Sequence, residues 1–284
     1  MNTEQHGEWR RRLSVAGKTN QEIAAEWRIS VTTLRRWRTR CGITGQAKRA
    51  SPPKGGPPAE PGLDLAGRDG RDEHDGRIKR DCPRCFSTPL DCRSYAYLLG
   101  LYLGDGCISP VGDPRKNVWA MRIACANAWP GLIELCVKAV RAVRPANKVR
   151  IIRKVGCVEV DSHSKHWPCL FPQHGAGRKH ERAITLAGWQ KEIVDRYAQE
   201  FLRGLIHSDG CRFVNRVRRP LKDGDRWYEY PRYNFTNVSV DIQRLFTDAL
   251  DRLGIAWKQM NATDISVARR EAVARLDEFV GAEY

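Results

Sequence analysis

Long apolar runs are lacking in this chain of 284 residues, and acidic side chains are fewer than basic ones. The longest apolar run, Tyr95–Gly104, is far shorter than the roughly 20 residues that a membrane-spanning helix needs. The segment Met1–Arg12 is polar and charged, so we expect no signal peptide and no membrane partner. Asp and Glu number 33 against 49 Lys and Arg, which gives a net charge of +16 and an isoelectric point near 9.7. This excess argues against a neutral metabolic enzyme and predicts contacts with phosphates.

Cysteine is not scarce, but the ten cysteines are scattered along the chain rather than spaced as a disulfide framework. Cys125 and Cys136 fall inside predicted apolar elements. We therefore expect reduced thiols in a cytoplasmic protein. We also expect this protein to be nucleoid-associated and monomeric.

Two short segments, Leu98–Gly106 and Leu202–Gly210, nearly repeat each other 104 residues apart. Each is predicted to be a helix with small residues at positions i and i+4, which lets two such helices pack backbone to backbone. These small residues are Gly100, Gly104, Gly204 and Ser208.

Each motif ends in an aspartate, Asp105 or Asp209, followed by glycine. A carboxylate at a helix C-terminus faces the negative end of the macrodipole, and two converging carboxylates also repel each other. If the two helices pair in parallel, a divalent cation between the aspartates relieves both penalties. The arrangement suits phosphodiester hydrolysis assisted by Mg²⁺ or Mn²⁺. For one motif alone, an ordinary helix-turn-strand junction would be the simpler interpretation.

The chain downstream of each motif repeats as well. After each Asp-Gly the pattern predicts two strands, a helix (130–143 or 240–253) and two further strands, which favours a tandem duplication of an αββαββα unit. The paired motifs resemble the LAGLIDADG (dodecapeptide, DOD-type) homing endonucleases in their single-chain, two-motif form. The resemblance covers about the last two-thirds of the chain. It implies an α+β, pseudo-twofold fold with repeats over 95–198 and 199–284.

The same resemblance implies that Asp105 and Asp209 are the catalytic, metal-binding residues. Family members also place a lysine near the end of the last strand of each half. Lys165 falls there in the first half, whereas Arg269 and Arg270 stand there in the second. Arginine is always charged and cannot act as an acid, so the two halves differ in their candidate catalytic cation.

Residues 1–44 form a separate basic module that looks like a helix-turn-helix, with Asn20 and Ser30 as predicted helix N-caps. The resemblance implies that the second helix faces the major groove of DNA. Its groove-facing residues are Ser30, Thr32, Thr33, Arg35 and Arg36. The alternative is a basic three-helix module that reads no sequence or binds protein. Residues 45–80 are rich in proline, glycine and charge, which predicts a flexible linker.

Basic side chains alternate along several predicted strands, which favours a sheet surface that holds double-stranded DNA. Arginine and asparagine are expected to read base edges there, and lysine to contact phosphates. The candidate contacts are Lys148, Arg150, Lys154, Arg212, Arg216, Arg218, Tyr228, Tyr230, Arg232 and Asn234. The alternative is that these basic side chains contact only solvent.

A connector over 81–94 contains Cys82 and Cys85, whose spacing is that of half a zinc site. Cys92 is a candidate third ligand, and a later group of histidines and a cysteine offers a remote one. That group is His163, His166, Cys169, His174 and His180. Structural zinc is the second interpretation here, because the spacing alone favours two reduced cysteines at a turn.

Two functions remain open. The first is a site-specific, Mg²⁺-dependent endonuclease of homing type, a hydrolase that cuts double-stranded DNA. The second is a sequence-specific transcriptional regulator built on a catalytically decayed LAGLIDADG domain. Retention of both aspartates favours the endonuclease, because a decayed domain has no need of them, whereas the added helix-turn-helix favours the regulator.

Overall fold

The structure is a computed structural model that describes Glu22 and residues 81–221 and 224–281. The predicted helix-turn-helix over 1–44, apart from Glu22, lies outside the described residues, as does the predicted linker over 45–80. The module's candidate groove-facing residues, Ser30, Thr32, Thr33, Arg35 and Arg36, therefore lie outside as well. Within the described ranges, no helix combines the length and apolar character needed to cross a membrane.

The first half of the described chain contains five α-helices placed before, within and after one sheet. Its elements in chain order are α1 (Pro83–Phe86), α2 (Cys92–Asp105), β1 (Gly106–Pro110), β2 (Trp119–Ala126), α3 (Pro130–Val143), β3 (Val149–Lys154), β4 (Cys157–Ser164), α4 (Trp167–Leu170) and α5 (Gly188–Arg196). Two short 3-10 segments, Pro114–Lys116 and Lys179–Glu181, lie in the connections. The sheet is antiparallel with the order β1-β2-β4-β3.

The second half repeats this plan directly after Tyr197. Its elements are α6 (Ala198–Asp209), β5 (Gly210–Leu221), β6 (Gly224–Thr236), α7 (Val240–Arg252), β7 (Lys258–Gln259), β8 (Asp264–Val267) and α8 (Arg270–Val280). The strand order β5-β6-β8-β7 matches that of the first sheet. The predicted duplication of an αββαββα unit is confirmed.

Local signals account for several element boundaries. The Asp91 carboxylate caps α2 by accepting a hydrogen bond of 2.9 Å from the Ser94 amide, and Ser239 caps α7 in the same way. Pro130 opens α3, where its missing N–H costs nothing. The helix predicted over 130–143 is confirmed at both ends. It could be predicted because a proline starts it and its apolar residues recur with helical periodicity.

The motif helices α2 and α6 pack in parallel at backbone distance. A Cβ built on Gly100 would lie 2.5 Å from the Phe201 carbonyl oxygen, and one built on Gly204 would lie 2.2 Å from that of Tyr97. One turn further on, a Cβ on Gly104 would lie 2.4 Å from the Ser208 Cβ. Only glycine fits at positions 100, 104 and 204, and the fourth position, 208, holds the small side chain of serine. The predicted role of the small residues is therefore confirmed.

The core lies between these helices and one face of each sheet. Met121 and Ile123 point from the first sheet towards the helices, and Tyr233 and Phe235 do so from the second. The Phe235 ring stacks on Phe246 of α7 with a centroid distance of 4.0 Å. The opposite side of each sheet is called the outer face below. No cysteine in the described residues forms a disulfide, in agreement with the expectation of reduced thiols.

His207 ties the helix pair to the C-terminal helix. Its Nδ1 accepts a hydrogen bond from the Tyr97 hydroxyl at 2.9 Å, and its Nε2 donates to the Val280 carbonyl at 3.0 Å. Burial, followed by the nearby Arg203 charge, lowers the pKa of His207 to about 4. The imidazole is therefore neutral at physiological pH and acts as a packing group.

The glycine contact predicts a large difference between two Gly→Ala variants. Gly204→Ala should lower the free energy of unfolding by about 2 kcal/mol, because its Cβ meets backbone atoms that cannot move independently. Gly188→Ala is the matched control, because a Cβ there meets nothing within 4 Å. Urea unfolding monitored by circular dichroism measures both variants, and equal stability would contradict the packing described here.

Candidate active site at the paired helix ends

Asp105 and Asp209 are the last residues of the parallel helices α2 and α6, so they lie at the same end of the pair. Asp209 is buried and Asp105 is half-buried. The Asp209 Oδ2 atom lies 3.1 Å from the position of a Cβ built on Gly104, the residue before Asp105. The structure therefore brings the two predicted carboxylates to one region between the helix ends.

The two strands that follow keep the symmetry of the site. Gly106 pairs with Ile123 at the start of the first sheet, and Gly210 pairs with Phe235 at the start of the second. Ile123 and Phe235 hold corresponding positions in their sheets. Each aspartate therefore directly precedes the first strand of its sheet, at the same point of the repeat.

The Asp209 carboxylate is oriented by a side chain that sequence reasoning missed. Asn237 Nδ2 donates to Asp209 Oδ2 at 2.6 Å, and its Oδ1 accepts from the Ser239 amide at 2.8 Å. Both polar ends of the amide are used, which fixes its orientation. Asn237 lies in the turn between β6 and α7, and no motif in the sequence marks it.

Lys179 lies at the end of α2 and was also missed. Its Nζ donates to the carbonyl oxygens of Gly104 at 3.0 Å and Gly106 at 2.8 Å, and it also bonds the Tyr102 carbonyl. Carbonyls at a helix C-terminus lack partners within the helix and carry the negative end of the macrodipole. The ammonium group bonds three carbonyls at this helix end, of which that of Tyr102 also accepts from the Gly106 amide.

Burial and nearby carboxylates have opposite effects on the pKa of Lys179. Burial lowers its pKa to about 8, while Asp209 and then Asp105 act in the opposite direction and favour the charged form. The Tyr102 ring lies beneath the ammonium, 5.1 Å from Nζ to the centroid. Lys179 is therefore a cation at neutral pH, in the electrostatic field of both carboxylates.

Arg182 shapes the loop that presents Lys179. Its Nη1 donates to the carbonyls of Gly175, Ala176 and Gly177 at 3.0 to 3.1 Å, and its Nη2 donates to Gln173 at 2.9 Å. The guanidinium thus gathers four carbonyls of an irregular segment around one charge. No periodic pattern predicts such a loop, which explains why its lysine went unnoticed.

Lys165, the cation predicted in the first half, lies away from Asp105. Gly106 is level with Ile123 and, one strand further, with Val160. Lys165 follows Val160 by five residues and lies just beyond the end of β4, which runs in the same direction as β1 and away from α2. At about 3.3 Å per residue this is roughly 16 Å. The structure does not bring this exposed lysine to the carboxylates.

Arg269 and Arg270, predicted in the second half, are placed in the same way. Gly210 is level with Ile265 through β6, and the two arginines follow Ile265 by four and five residues. Both are exposed, at the N-terminus of α8. Lys179, in a connecting loop, is a cation that the structure places at the helix ends.

The donor atoms near the aspartates fit a hard divalent cation. Two carboxylates and the Gly104 carbonyl lie at the same end of the helix pair, and all are oxygen donors. Mg²⁺ and Mn²⁺ prefer this kind of ligand. Asp105 and Asp209 would hold the metal, as the sequence analysis expected.

The first sheet carries an ionic cluster on its outer face. Asp161 is 1% exposed and contacts Arg122 at 3.3 Å, Arg150 Nε at 2.9 Å and His163 at 3.3 Å. Arg122, Asp161 and Arg150 are level across three strands, so they share that face. The candidate contacts Lys148 and Lys154 have the same alternation as Arg150. The three predicted basic residues of the first repeat therefore project from one face.

The predicted contacts of the second sheet fall on two opposite faces. Arg212 pairs with Tyr233, so it shares the side of the sheet that faces the helices. Arg216 and Arg218 share that alternation with Arg212. Each of the three has an acidic partner, which is Asp277, Glu229 or Asp225.

The outer face of the second sheet carries the other predicted set. Its members are Tyr228, Tyr230, Arg232 and Asn234. Arg232 lies over the Tyr230 ring at 5.8 Å and has no ion pair with an acidic side chain of the described residues. Asn215, from β5, donates to the Tyr230 hydroxyl at 2.7 Å. One continuous basic surface from both sets is therefore not formed.

The predicted zinc ligands are separated by the structure. Cys82 and Cys85 lie close together at α1, whereas Cys92 begins α2 and is not in their cluster of ligand atoms. Of the remote candidate ligands, His166 and Cys169 lie close to Cys82 and Cys85, and the other histidines do not belong to this cluster.

Comparison with known proteins gives similarity of fold. No protein-family model matches the chain, and no curated protein matches it either. The LAGLIDADG meganuclease I-AabMI bound to uncleaved DNA is 12% identical, with a TM-score of 0.42 over 65% of this chain and 82% of that chain. I-DmoI in complex with DNA and Mn is 15% identical, with a TM-score of 0.43 over 68% and 99%. The N-terminal LAGLIDADG domain of WhiA is 12% identical, with a TM-score of 0.38 over 68% and 83%. At these identities and TM-scores the similarity assigns no property to this chain, and the DNA and metal belong to those proteins.

Removal of the Lys179 charge should destabilise the helix ends. Lys179→Met should lower the free energy of unfolding by about 2 kcal/mol, because three carbonyls and two carboxylates lose a buried cation. Lys191→Met is the matched control, since Lys191 is exposed on α5. Urea unfolding at neutral pH measures both variants. Equal stabilities would mean that Lys179 does not hold the position described.

Proposed function

We propose that this chain is a metal-dependent endonuclease that cuts double-stranded DNA at a specific site. The observation that carries the proposal is the pair of aspartates at the ends of two parallel helices in backbone contact. Carboxylates at helix C-termini are electrostatically costly, and a fold that places two of them together gains from a bound cation.

A divalent metal held by Asp105 and Asp209 would lower the pKa of a water molecule and stabilise the leaving 3′ oxygen. The protein's own residues prepare that site. Asn237 fixes one carboxylate, so little reorientation is needed. Lys179 supplies a positive charge beside the carboxylates, where a phosphate would carry developing negative charge.

The outer faces of the two sheets are the proposed DNA surface. The net charge of +16 favours a polyanionic partner. In the second sheet, Arg232 is the strongest candidate because it carries no acidic partner in the described part of the chain, whereas Arg212, Arg216 and Arg218 are each paired. In the first sheet the proposed contacts are Lys148, Arg150 and Lys154, of which Arg150 and Lys154 also pair with Asp161 and Glu159.

The proposal also includes the N-terminal module, the linker and the monomeric state. The module over 1–44 would add a second DNA contact, tethered by residues 45–80 to a monomeric, cytoplasmic protein. A double-stranded target follows from groove reading by Arg and Asn.

A regulator that binds DNA without cutting it is the second candidate function. One observation favours it: the Lys179 ammonium group already bonds the Gly104 carbonyl beside both aspartates. A fixed cation there reduces the need for a metal and competes for the same oxygen atoms. The two candidates therefore differ in whether a metal enters beside Lys179.

Conservative changes at the aspartates should separate cleavage from binding. A duplex selected from a random library by the full chain is the substrate, with Mg²⁺ or Mn²⁺ present. Asp105→Asn and Asp209→Asn should each slow cleavage by at least about 100-fold while duplex affinity stays equal or rises, since a carboxylate near phosphates is removed. Asp248→Asn, an exposed aspartate on α7, is the matched control for loss of one charge.

Gel analysis of both strands gives the rate, and fluorescence anisotropy gives the affinity. If the wild-type chain binds the selected duplex tightly and leaves it intact in both metals, the endonuclease is excluded and the regulator is favoured. Cleavage by the two variants at the wild-type rate would exclude the aspartates as its metal ligands.

The two faces of the second sheet should differ in their effect on DNA binding. Arg232→Ala should weaken duplex binding about tenfold and reduce the slope of log K against log salt by about one if a phosphate contact is lost. Arg212→Ala should change affinity less than about twofold, because Asp277 already neutralises that guanidinium. Anisotropy titrations at several salt concentrations measure both. A larger loss for Arg212→Ala would place the DNA on the opposite face.

A further inference from the structure

A compact group of sulfur and nitrogen atoms lies at the point where the chain enters the first repeat. Cys82 and Cys85 come from the start of α1, and His166 and Cys169 come from the start of α4. The Cys82, Cys85 and Cys169 Sγ atoms and a ring nitrogen of His166 all lie within 4.8 Å of one another. Two segments about 80 residues apart in sequence therefore meet through metal-binding side chains.

The spacing of these atoms matches a tetrahedron around zinc. Cys85 Sγ lies 3.5 Å from His166 Nδ1 and 3.5 Å from Cys169 Sγ, and Cys169 Sγ lies 3.7 Å from His166 Nδ1. Bonds of about 2.3 Å to sulfur and about 2.0 Å to nitrogen place tetrahedral ligands about 3.5 to 3.8 Å apart. All three measured edges fall in that range.

The same distances exclude a disulfide as the reason for the cluster. Bonded sulfur atoms lie about 2.05 Å apart, and Cys85 and Cys169 are at 3.5 Å. The imidazole Nδ1 points to both sulfurs, as a ligand atom would. The two halves of the cluster also share a spacing, since each places its ligands at positions i and i+3. This is the spacing of metal-binding knuckles.

We propose that Cys82, Cys85, His166 and Cys169 bind one structural zinc ion. Four protein ligands leave no open position, which is the arrangement of a structural site rather than a catalytic one. The ion fastens α1 to the segment that follows β4. The site is independent of the proposed endonuclease, because none of its ligands belongs to the paired helix ends.

Neighbouring contacts support a fixed attachment at this point. Asp81 forms an ion pair with the buried Arg144 at 2.8 Å, and the Arg144 guanidinium also donates to the Asp81 carbonyl at 2.7 Å. Phe86 packs edge-on against the His166 ring. The Arg84 guanidinium lies 4.6 Å from the Trp189 ring centroid. Zinc would lock a segment that is already held by charge and ring contacts on both sides.

Metal analysis of the full chain tests the proposal. Protein purified without chelator from zinc-supplemented medium should contain about one zinc per chain by mass spectrometry. Cys169→Ser should reduce the content at least about fivefold, because a four-ligand site loses a thiolate. Cys92→Ser is the matched control, since this cysteine lies nearby in sequence and outside the cluster, and it should retain the metal.

A measurement on the wild-type chain covers the case in which Cys169→Ser fails to fold. Replacement of zinc by cobalt should give the visible absorption of a tetrahedral site and thiolate charge-transfer bands whose intensity corresponds to three sulfurs. A zinc content below about 0.1 per chain together with no tetrahedral cobalt spectrum would overturn the proposal. Loss of metal in Cys92→Ser with retention in Cys169→Ser would also overturn it.

Discussion

The backbone contact between α2 and α6 is the constraint on which the rest of the structure depends. Gly100 and Gly204 allow the helices to approach until a single added carbon would collide with a carbonyl. Gly100 faces Gly204 and Gly104 faces Ser208, so the parallel helices are in register and Asp105 and Asp209 are brought to one end of the pair. The sheets follow directly, because each begins one residue after its aspartate. Core, candidate site and symmetry thus have a common origin in four small residues.

Much of the fold could be predicted because its signals are local. The helix over 130–143 has a proline at its start and an apolar face. The segment 232–236, at the end of β6, alternates between polar and aromatic residues. The duplication could be predicted because a nine-residue motif occurs twice at a spacing of one repeat. In the candidate site the aspartates were found for the same reason, since each lies within a recognisable motif.

The remainder depends on contacts between distant parts of the chain. Lys179 is 74 residues from Asp105 and lies in a loop that Arg182 shapes through carbonyl groups, which leave no trace in a pattern of side chains. His166 and Cys169 approach Cys82 and Cys85 only after the sheet has formed. The sequence alone does not show that the two basic sets of the second sheet lie on opposite faces. Alternation shows which residues of one strand share a face, but only the pairing of Arg212 with Tyr233 shows which faces of the two strands coincide.

The halves share a topology but differ in the length of their hairpins. Strands β5 and β6 have 12 and 13 residues, whereas β1 and β2 have 5 and 8. At about 3.3 Å per residue, the second hairpin reaches roughly 20 Å further from the molecular centre. A duplex lying across both sheets would meet a long arm on one side and a short one on the other. A duplex target bound in this way would then be contacted over more base pairs beside the second sheet than beside the first.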